Sequence, residues 1–395
     1  MADPKLYLGI DNCFAYKRWT LPGEWMRVIH ELGLKYVEAS ADTELDPLYM
    51  GPEHTKRWIE IARKECEKWD IVIKNVYSGH GTYATAGLAH WAEEVRRRFI
   101  DDWMKAQIDT ANAFGAGFGF FAHGFDEMYL QSHELYMKKL DELYGTLAEI
   151  AAYARQTGMR YCGLEQMYTP HMPPWTIEGT KTLLGEVSRR AGAPFYTTVD
   201  LGHMNGQQFF QKPDEETILR LIADARAGQP HKRVWMGTQK AMNLYFAACR
   251  SEMDARSAAA QILADVEANP HLFARPIDGD IWAWVEALGR YSPIMHLQQS
   301  DGKSSPHWPF SENYNKIGVV SGEKLMASLV KAYAQPDDAS TPPACEEITL
   351  TLEPFLGTAG NTSDMLDELR DSVAYWRRFI PEDGMRLSQA AALLK

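Results

Sequence analysis

The chain has 395 residues, of which 45% are apolar, so it carries enough apolar material for a large buried core. Its 53 acidic and 41 basic residues give a net charge of −12, which argues against nucleic acid or an anionic membrane as a main partner. The sequence contains neither a signal-peptide pattern nor an apolar run of the ~18 residues that a membrane span needs. Its five cysteines are widely separated and resemble reduced thiols, so we expect a cytoplasmic protein.

Short apolar, β-branched runs alternate with helical patterns along the chain. The predicted strands cover residues 6–10, 36–38, 71–77, 118–123, 159–165, 194–200, 291–296 and 348–353. The predicted helices cover residues 24–32, 53–69, 88–114, 135–157, a segment from 176, 213–228, 241–269 (as one or two helices), 278–289 and 365–379. Such alternation predicts parallel strands joined by helical crossovers.

Eight such units favour an α/β fold, a closed (β/α)8 TIM barrel that forms a single domain over residues 1–395. An open doubly wound sheet is the alternative, but no glycine-rich dinucleotide loop follows the first strand. Between the sixth and seventh strands the chain is far longer than one crossover helix requires. We expect residues 208–275 to be a helical insertion that acts as a cap or as an oligomer contact.

Four predicted strands end in side chains that bind metals or transfer protons: Glu165, Asp200, His296 and Glu353. In a TIM barrel the carboxyl ends of the strands meet at one face, so these side chains should converge. Three carboxylates would repel one another there unless a cation neutralised them. Oxygen ligands with one nitrogen suit Mn2+, Mg2+, Co2+ or Zn2+. The alternative is that these acidic strand ends only solvate the loop entrances.

Two further histidines, His80 and His123, follow the third and fourth predicted strands. At those positions they would line the same pocket and contact a substrate. The alternative for each is an ordinary rim histidine held in a hydrogen-bond network.

The order of these strand ends resembles a known family. A glutamate after strand five, Asp200-x-x-His203 after strand six, His296 after strand seven and Glu353-Pro354 after strand eight are similar to the xylose-isomerase-like barrels. Within that family the pattern is most similar to the sugar (phosphate) isomerases and epimerases, which include ketose 3-epimerases. The resemblance covers the whole barrel apart from the insertion.

The resemblance implies a site and a reaction. Glu165 and Glu353 would form the proton-transfer pair, Asp200 and His296 would be metal ligands only, and His203 would contact a substrate oxygen. The metal, with Mn2+ as first choice, would chelate a ketose and stabilise a cis-enediolate. Return of the proton to the opposite face gives an epimer, and return to the adjacent carbon gives an aldose. The implied partner is a small sugar or sugar phosphate, and a homo-oligomer fits the resemblance.

The loop after strand seven departs from the family. Ketose 3-epimerases usually place an arginine there to hold substrate oxygens, and residues 297–310 contain none. Lys303 and His307 are the candidate substitutes. A lysine beside two serines is also able to hold a phosphate, although the alternative is an ordinary solvated loop residue.

Two other classes of function stay open on the sequence. The same barrel supports lyase, dehydratase or glycoside-cleaving chemistry, because an enolate also expels a β-substituent. An endonuclease-like barrel is disfavoured by the negative charge and the shortage of histidine ligands. A non-catalytic binding or scaffold protein is disfavoured because such a protein has no need of mutually repelling carboxylates.

Overall fold

The computed structural model describes residues 2–79, 85–121 and 124–394. Eight parallel strands form a ring in which each strand pairs with the next and β8 pairs with β1, which in turn pairs with β2. The strands are β1 Lys5–Asp11, β2 Tyr36–Ser40, β3 Val72–Tyr77, β4 Gly117–Phe120, β5 Cys162–Glu165, β6 Tyr196–Asp200, β7 Ile294–Leu297 and β8 Glu347–Leu352. The predicted (β/α)8 barrel is therefore confirmed. A two-residue strand, β9 Met385–Arg386, adds to β1 in the antiparallel sense.

Helices surround the barrel. They are α1 Pro22–Glu31, α2 Pro47–Trp69, α3 Glu93–Arg98, α4 Lys105–Asn112, α5 Glu127–Leu130, α6 His133–Gln156, α7 Ile177–Ala191, α8 Glu215–Arg226, α9 Gln239–Cys249, α10 Ala255–Ala268, α11 Ile281–Leu288, α12 Glu312–Asn315, α13 Gly322–Ala334, α14 Thr362–Arg377 and α15 Leu387–Ala392. None of these described helices has the length and apolar character that crossing a membrane requires.

Local sequence sets the helix ends. The Thr176 side chain accepts a hydrogen bond from the backbone N–H of Gly179 and so begins α7. The same helix ends at Gly192, whose φ of 60° is the left-handed conformation that glycine adopts without a steric penalty. Asn361 caps α14 in the same way by accepting from the N–H of Asp364.

The register of the strands brings the polar strand ends to one level. Asp200 in β6 lies beside His296 in β7, and Glu165 in β5 lies beside Thr198 in β6. Glu353 follows the last residue of β8, where its N–H donates to the carbonyl of Leu297. The barrel wall thus carries these polar groups at its carboxyl end, above a core of buried apolar side chains.

Several elements differ from the sequence prediction. The predicted helix over 88–114 begins at Glu93 and contains a π-helical segment, Phe99–Met104, which a pattern of apolar residues cannot distinguish from an α-helix. The fourth strand ends at Phe120 rather than at residue 123. Helix α13 was not predicted, although Ser321 caps its start and apolar residues recur at helical spacing along it.

The long connection between β6 and β7 contains α8, α9 and α10. Their apolar faces pack together around a cluster separate from the barrel core, which includes Ile218, Tyr245, Ile262 and Val266. Phe273 is half-buried and packs against both this cluster and the barrel core. The connection therefore has a hydrophobic core of its own that is joined to the barrel through a shared side chain.

Candidate metal centre

Four side chains converge at the carboxyl end of the barrel. Ligand atoms of Glu165, Asp200, His296 and Glu353 all lie within 4.8 Å of one another, and all four residues are buried. Each comes from a different strand end, β5 to β8 in order. The structure thus brings together the four residues that the sequence pointed to.

The imidazole of His296 is surrounded by carboxylates. Its Nδ1 lies 3.0 Å from Oε1 of Glu165 and 3.3 Å from Oε2 of Glu353, and its Nε2 lies 2.6 Å from Oε1 of Glu38. Burial acts to lower the pKa of His296, but the charges of Glu353, Glu38 and Glu165 outweigh burial and raise this pKa well above its usual value. A positive charge is therefore strongly favoured at this point of the molecule.

Asp200 is held in place from several directions. Its Oδ1 accepts hydrogen bonds from the backbone N–H groups of Gly202 at 2.6 Å and His203 at 2.9 Å. The Gln298 amide donates to both carboxylate oxygens, at 2.8 and 2.9 Å. The Gln166 side chain makes two hydrogen bonds to the backbone of Asp200: its amide N–H donates to the Asp200 carbonyl, and its amide oxygen accepts from the Asp200 N–H. These contacts fix the carboxylate before any ligand arrives.

Two buried carboxylates in this region, Glu38 and Asp11, were not identified from the sequence. The Glu38 carboxylate contacts the imidazole of His296 and accepts a short hydrogen bond from the Asn75 amide. Asp11 is 1% exposed, and burial together with the charges of Glu38 and Glu353 raises its pKa well above the usual value. Asp11 is the last residue of β1, and Glu38 lies in the middle of β2, so the only sequence signal was an acidic residue in a largely apolar strand.

The donor chemistry of this cluster fits a divalent cation. Buried carboxylates of like charge are costly unless a cation or a proton compensates them. Oxygen donors with a single imidazole match the preferences of Mn2+ and related ions.

A cavity of about 450 Å3 opens next to the cluster. Glu165 and Glu353 both line it, and so do Tyr77, His203 and His307. The Tyr77 hydroxyl donates a short hydrogen bond to Oε2 of Glu165, and burial together with the Glu165 charge raises the pKa of this tyrosine well above its usual value. Tyr77 therefore stays protonated and remains a hydrogen-bond donor to Glu165.

Two predicted substrate-binding histidines line this cavity. The Nδ1 of His203 lies 2.8 Å from the carbonyl of Gln166, which can only accept, so the proton sits on Nδ1. The Nδ1 of His307 lies 3.2 Å from Oε2 of Glu353. Burial acts to lower the pKa of His307, but the Glu353 charge outweighs it and raises the pKa to about 9.

The remaining predicted substrate residues lie elsewhere. Lys303 is exposed and lines a neighbouring cavity instead of the one beside the cluster. His80 and His123 lie outside the described residues.

Comparison with known proteins supports the fold and the family. Residues 26–239 match the xylose isomerase-like TIM barrel family, and the chain belongs to that family. The chain is 30% identical over 115 residues to the D-erythrulose 1-phosphate 3-epimerase of Brucella abortus (strain 2308). That match covers 29% of this chain and 34% of the relative, so it spans about a third of the relative's length.

Solved structures extend the similarity to the whole barrel. A candidate xylose isomerase of Rhodospirillum rubrum ATCC 11170 has a TM-score of 0.66 and 19% identity, over 94% of this chain and 98% of that one. A D-tagatose 3-epimerase-like protein has a TM-score of 0.52 and 14% identity, over 92% and 94% of the two chains. A D-psicose 3-epimerase has a TM-score of 0.51 and 12% identity, over 94% and 98%. At these identities the likeness establishes the fold.

Proposed function

We propose that this protein is a divalent-metal-dependent isomerase that epimerises or isomerises a small ketose or ketose phosphate. The observation that carries the proposal is the position of Glu165 and Glu353. Both glutamates are buried, both line the cavity, and both have ligand atoms in the four-residue cluster with Asp200 and His296. The match over 115 residues to a protein named as a D-erythrulose 1-phosphate 3-epimerase lends the proposal further support.

Glu165, Asp200, His296 and Glu353 would hold the metal, with Mn2+ as first choice and Mg2+, Co2+ or Zn2+ as alternatives. When bound, such a cation polarises a ketose carbonyl and acidifies the neighbouring C–H bond. Asp200 and His296 serve only as ligands, because each is already engaged by a neighbouring side chain. Gln298 donates a hydrogen bond to Asp200, and Glu38 contacts the Nε2 atom of His296.

The two glutamates move the proton. One carboxylate takes the proton from the carbon next to the carbonyl, which leaves a cis-enediolate, and the other carboxylic acid returns a proton to the opposite face. Because the proton returns to the same carbon from the opposite face, the product is the epimer, with no net oxidation or reduction. Tyr77 and His203 hold Glu165, and His307 lies against Glu353, so the two carboxylates sit in different surroundings. His203 also lines the cavity, and with its proton on Nδ1 its Nε2 accepts a hydrogen bond from a substrate hydroxyl.

Proton exchange in D2O tests this proposal. The Mn2+-loaded protein is incubated with ketoses and ketose phosphates of four to six carbons, and NMR follows deuterium incorporation. Deuterium at C3 with accumulation of the epimer is the expected result for a 3-epimerase. Deuterium at C1 or C2 with an aldose product identifies an aldose–ketose isomerase.

The matched control is the same protein treated with a chelator, which should show no exchange. Loss of a substituent from the sugar, seen as an elimination product, would assign lyase chemistry instead. Absence of exchange with every sugar, despite a bound metal, would overturn the proposal.

A further inference from the structure

A second cavity of about 480 Å3 adjoins the cavity of the metal cluster. The two cavities share Tyr168, His203 and Ser305 as lining residues. One side of the second cavity comes from the loops after β5 and β7, and the other side comes from the long β6–β7 connection. A molecule whose reactive end lies between the glutamates would therefore extend its other end into this second cavity.

The two cavities differ in their charged side chains. Glu165 and Glu353 line the first, whereas the charged side chains among the described lining residues of the second are Arg233 and Lys303. In the described part of the chain, neither of these cations lies within ion-pair distance of a carboxylate. Two cations without an acidic partner are notable in a chain with a net charge of −12.

The guanidinium of Arg233 is positioned by its surroundings. It lies 4.5 Å from the ring centroid of Phe209, in a cation–π contact. The backbone of Arg233 has a φ of 57°, in the left-handed region that residues with a side chain rarely adopt. The surrounding fold therefore holds the backbone of Arg233 in this conformation. The half-buried rings of Phe209, Phe210 and Trp235 form the apolar part of the same wall. Arg233 is itself exposed, so its guanidinium is accessible to an anion that enters the cavity.

Lys303 lines the same cavity from the loop after β7, which is anchored by hydrogen bonds. The Gln208 amide donates to the carbonyl of Gly302 at 3.1 Å, and the Asn205 amide donates to the carbonyl of Ser304 at 3.2 Å. The loop that carries Lys303 is thereby tied to the start of the β6–β7 connection, the same connection that carries Arg233.

From this arrangement we propose that the second cavity binds the phosphate group of a phosphorylated ketose, through Arg233 and Lys303, while the carbonyl end of the sugar lies between Glu165 and Glu353. This inference rests on the proposed function and specifies its substrate class. The two cations also orient the substrate, because they attract an anionic group into their own cavity.

The first test measures binding of inorganic phosphate by titration calorimetry to the metal-loaded protein. The variants are the double substitution Arg233→Gln with Lys303→Gln, and the matched control Arg256→Gln with Lys64→Gln, which removes two exposed charges from α10 and α2. The dissociation constant should rise about tenfold in the first variant and stay unchanged in the control. Equal binding by all three proteins would overturn the subsite. Phosphate bound directly to the metal would give that result, because it is insensitive to both substitutions.

The second test measures kcat/KM for a ketose and for its phosphate ester. The kcat/KM for the phosphate ester, divided by that for the free ketose, should fall about tenfold in Arg233→Gln. It should fall less in Arg233→Lys, which retains the charge. A ratio that does not change would contradict the proposal. Inclusion of ketoses with a terminal carboxylate distinguishes a phosphate subsite from a general anion subsite.

The experiments distinguish failure of the proposed reaction from failure of the proposed phosphate subsite. If phosphate binds in an Arg233-dependent way but no sugar exchanges deuterium, the proposed reaction is wrong and the anion subsite stands. If unphosphorylated ketoses exchange deuterium and phosphate does not bind, the reaction stands and the subsite is wrong.

Discussion

The Nε2 atom of His296 lies 2.6 Å from Oε1 of Glu38, although the two residues are 258 positions apart in the chain. Both ring nitrogens therefore face carboxylates, Nε2 facing Glu38 and Nδ1 facing Glu165 and Glu353. With a cation bound at the cluster, Nδ1 would be the ligand atom, and Nε2 would keep its proton in the hydrogen bond to Glu38. Partners of this kind orient a ligand and increase its basicity.

Substitution of Glu38 should weaken metal binding without removal of a ligand. In Glu38→Gln we expect the dissociation constant for Mn2+ to rise by about ten- to a hundredfold, because a neutral amide both donates and accepts and so neither fixes the tautomer nor raises the basicity of the ring. Calorimetric titration of the metal-free protein measures it. Glu60→Gln, at an exposed position of α2, is the control. An unchanged affinity in Glu38→Gln would show that Glu38 does not orient the ligand.

Metal removal should lower the thermal stability. A cation that binds only the folded state adds about 2.7 kcal/mol at a concentration about a hundred times its dissociation constant. The melting temperature should therefore fall on treatment with a chelator and recover with Mn2+. Asp200→Asn should lose this response, because Asp200 contributes one of the four ligand groups. If the melting temperature of the wild-type protein does not depend on divalent metal, the cluster is not a metal site.

The two glutamates should be needed separately for proton transfer. In Glu165→Gln and in Glu353→Gln we expect deuterium exchange to fall by at least about a hundredfold, since an amide neither removes nor returns a proton. Each variant is assayed at saturating Mn2+, with the bound metal measured in parallel, because both side chains also belong to the ligand cluster. Full exchange in either metal-loaded variant would mean that the substituted glutamate is not part of the proton-transfer pair.

Acid should destabilise the contact between α6 and the β6–β7 connection. Burial, and to a smaller extent the nearby His133, lowers the pKa of His271 to about 4 from its usual 6.5. The unfolded chain therefore binds a proton at this residue at a higher pH than the folded chain does. Its contribution to stability is complete above pH 6.5 and is lost as the pH falls towards 4.

Urea unfolding at a series of pH values measures this effect. The loss of stability between pH 6.5 and 4 should be smaller in His271→Gln than in the wild type, and unchanged in the control His30→Gln on α1. The same pH dependence in all three proteins would contradict the assignment to His271.

The local sequence contained enough to predict the barrel and the four converging side chains. Glu165, Asp200, His296 and Glu353 each terminate a short apolar run, and in a barrel every such end faces the same way. The helix caps at Thr176 and Asn361 were likewise readable, because capping depends on residues only three positions apart.

The structure alone decided the contacts between distant segments. Nothing in the local sequence marked Glu38, because its contact with His296 forms only when the closed ring brings β2 and β7 to one cluster. Lys303 was expected beside the glutamates, but the fold places it with Arg233 in the lining of a neighbouring cavity. The physical reason is that periodicity and capping report interactions within one element, whereas the partners of a buried charge depend on how strands and loops from the whole chain pack together.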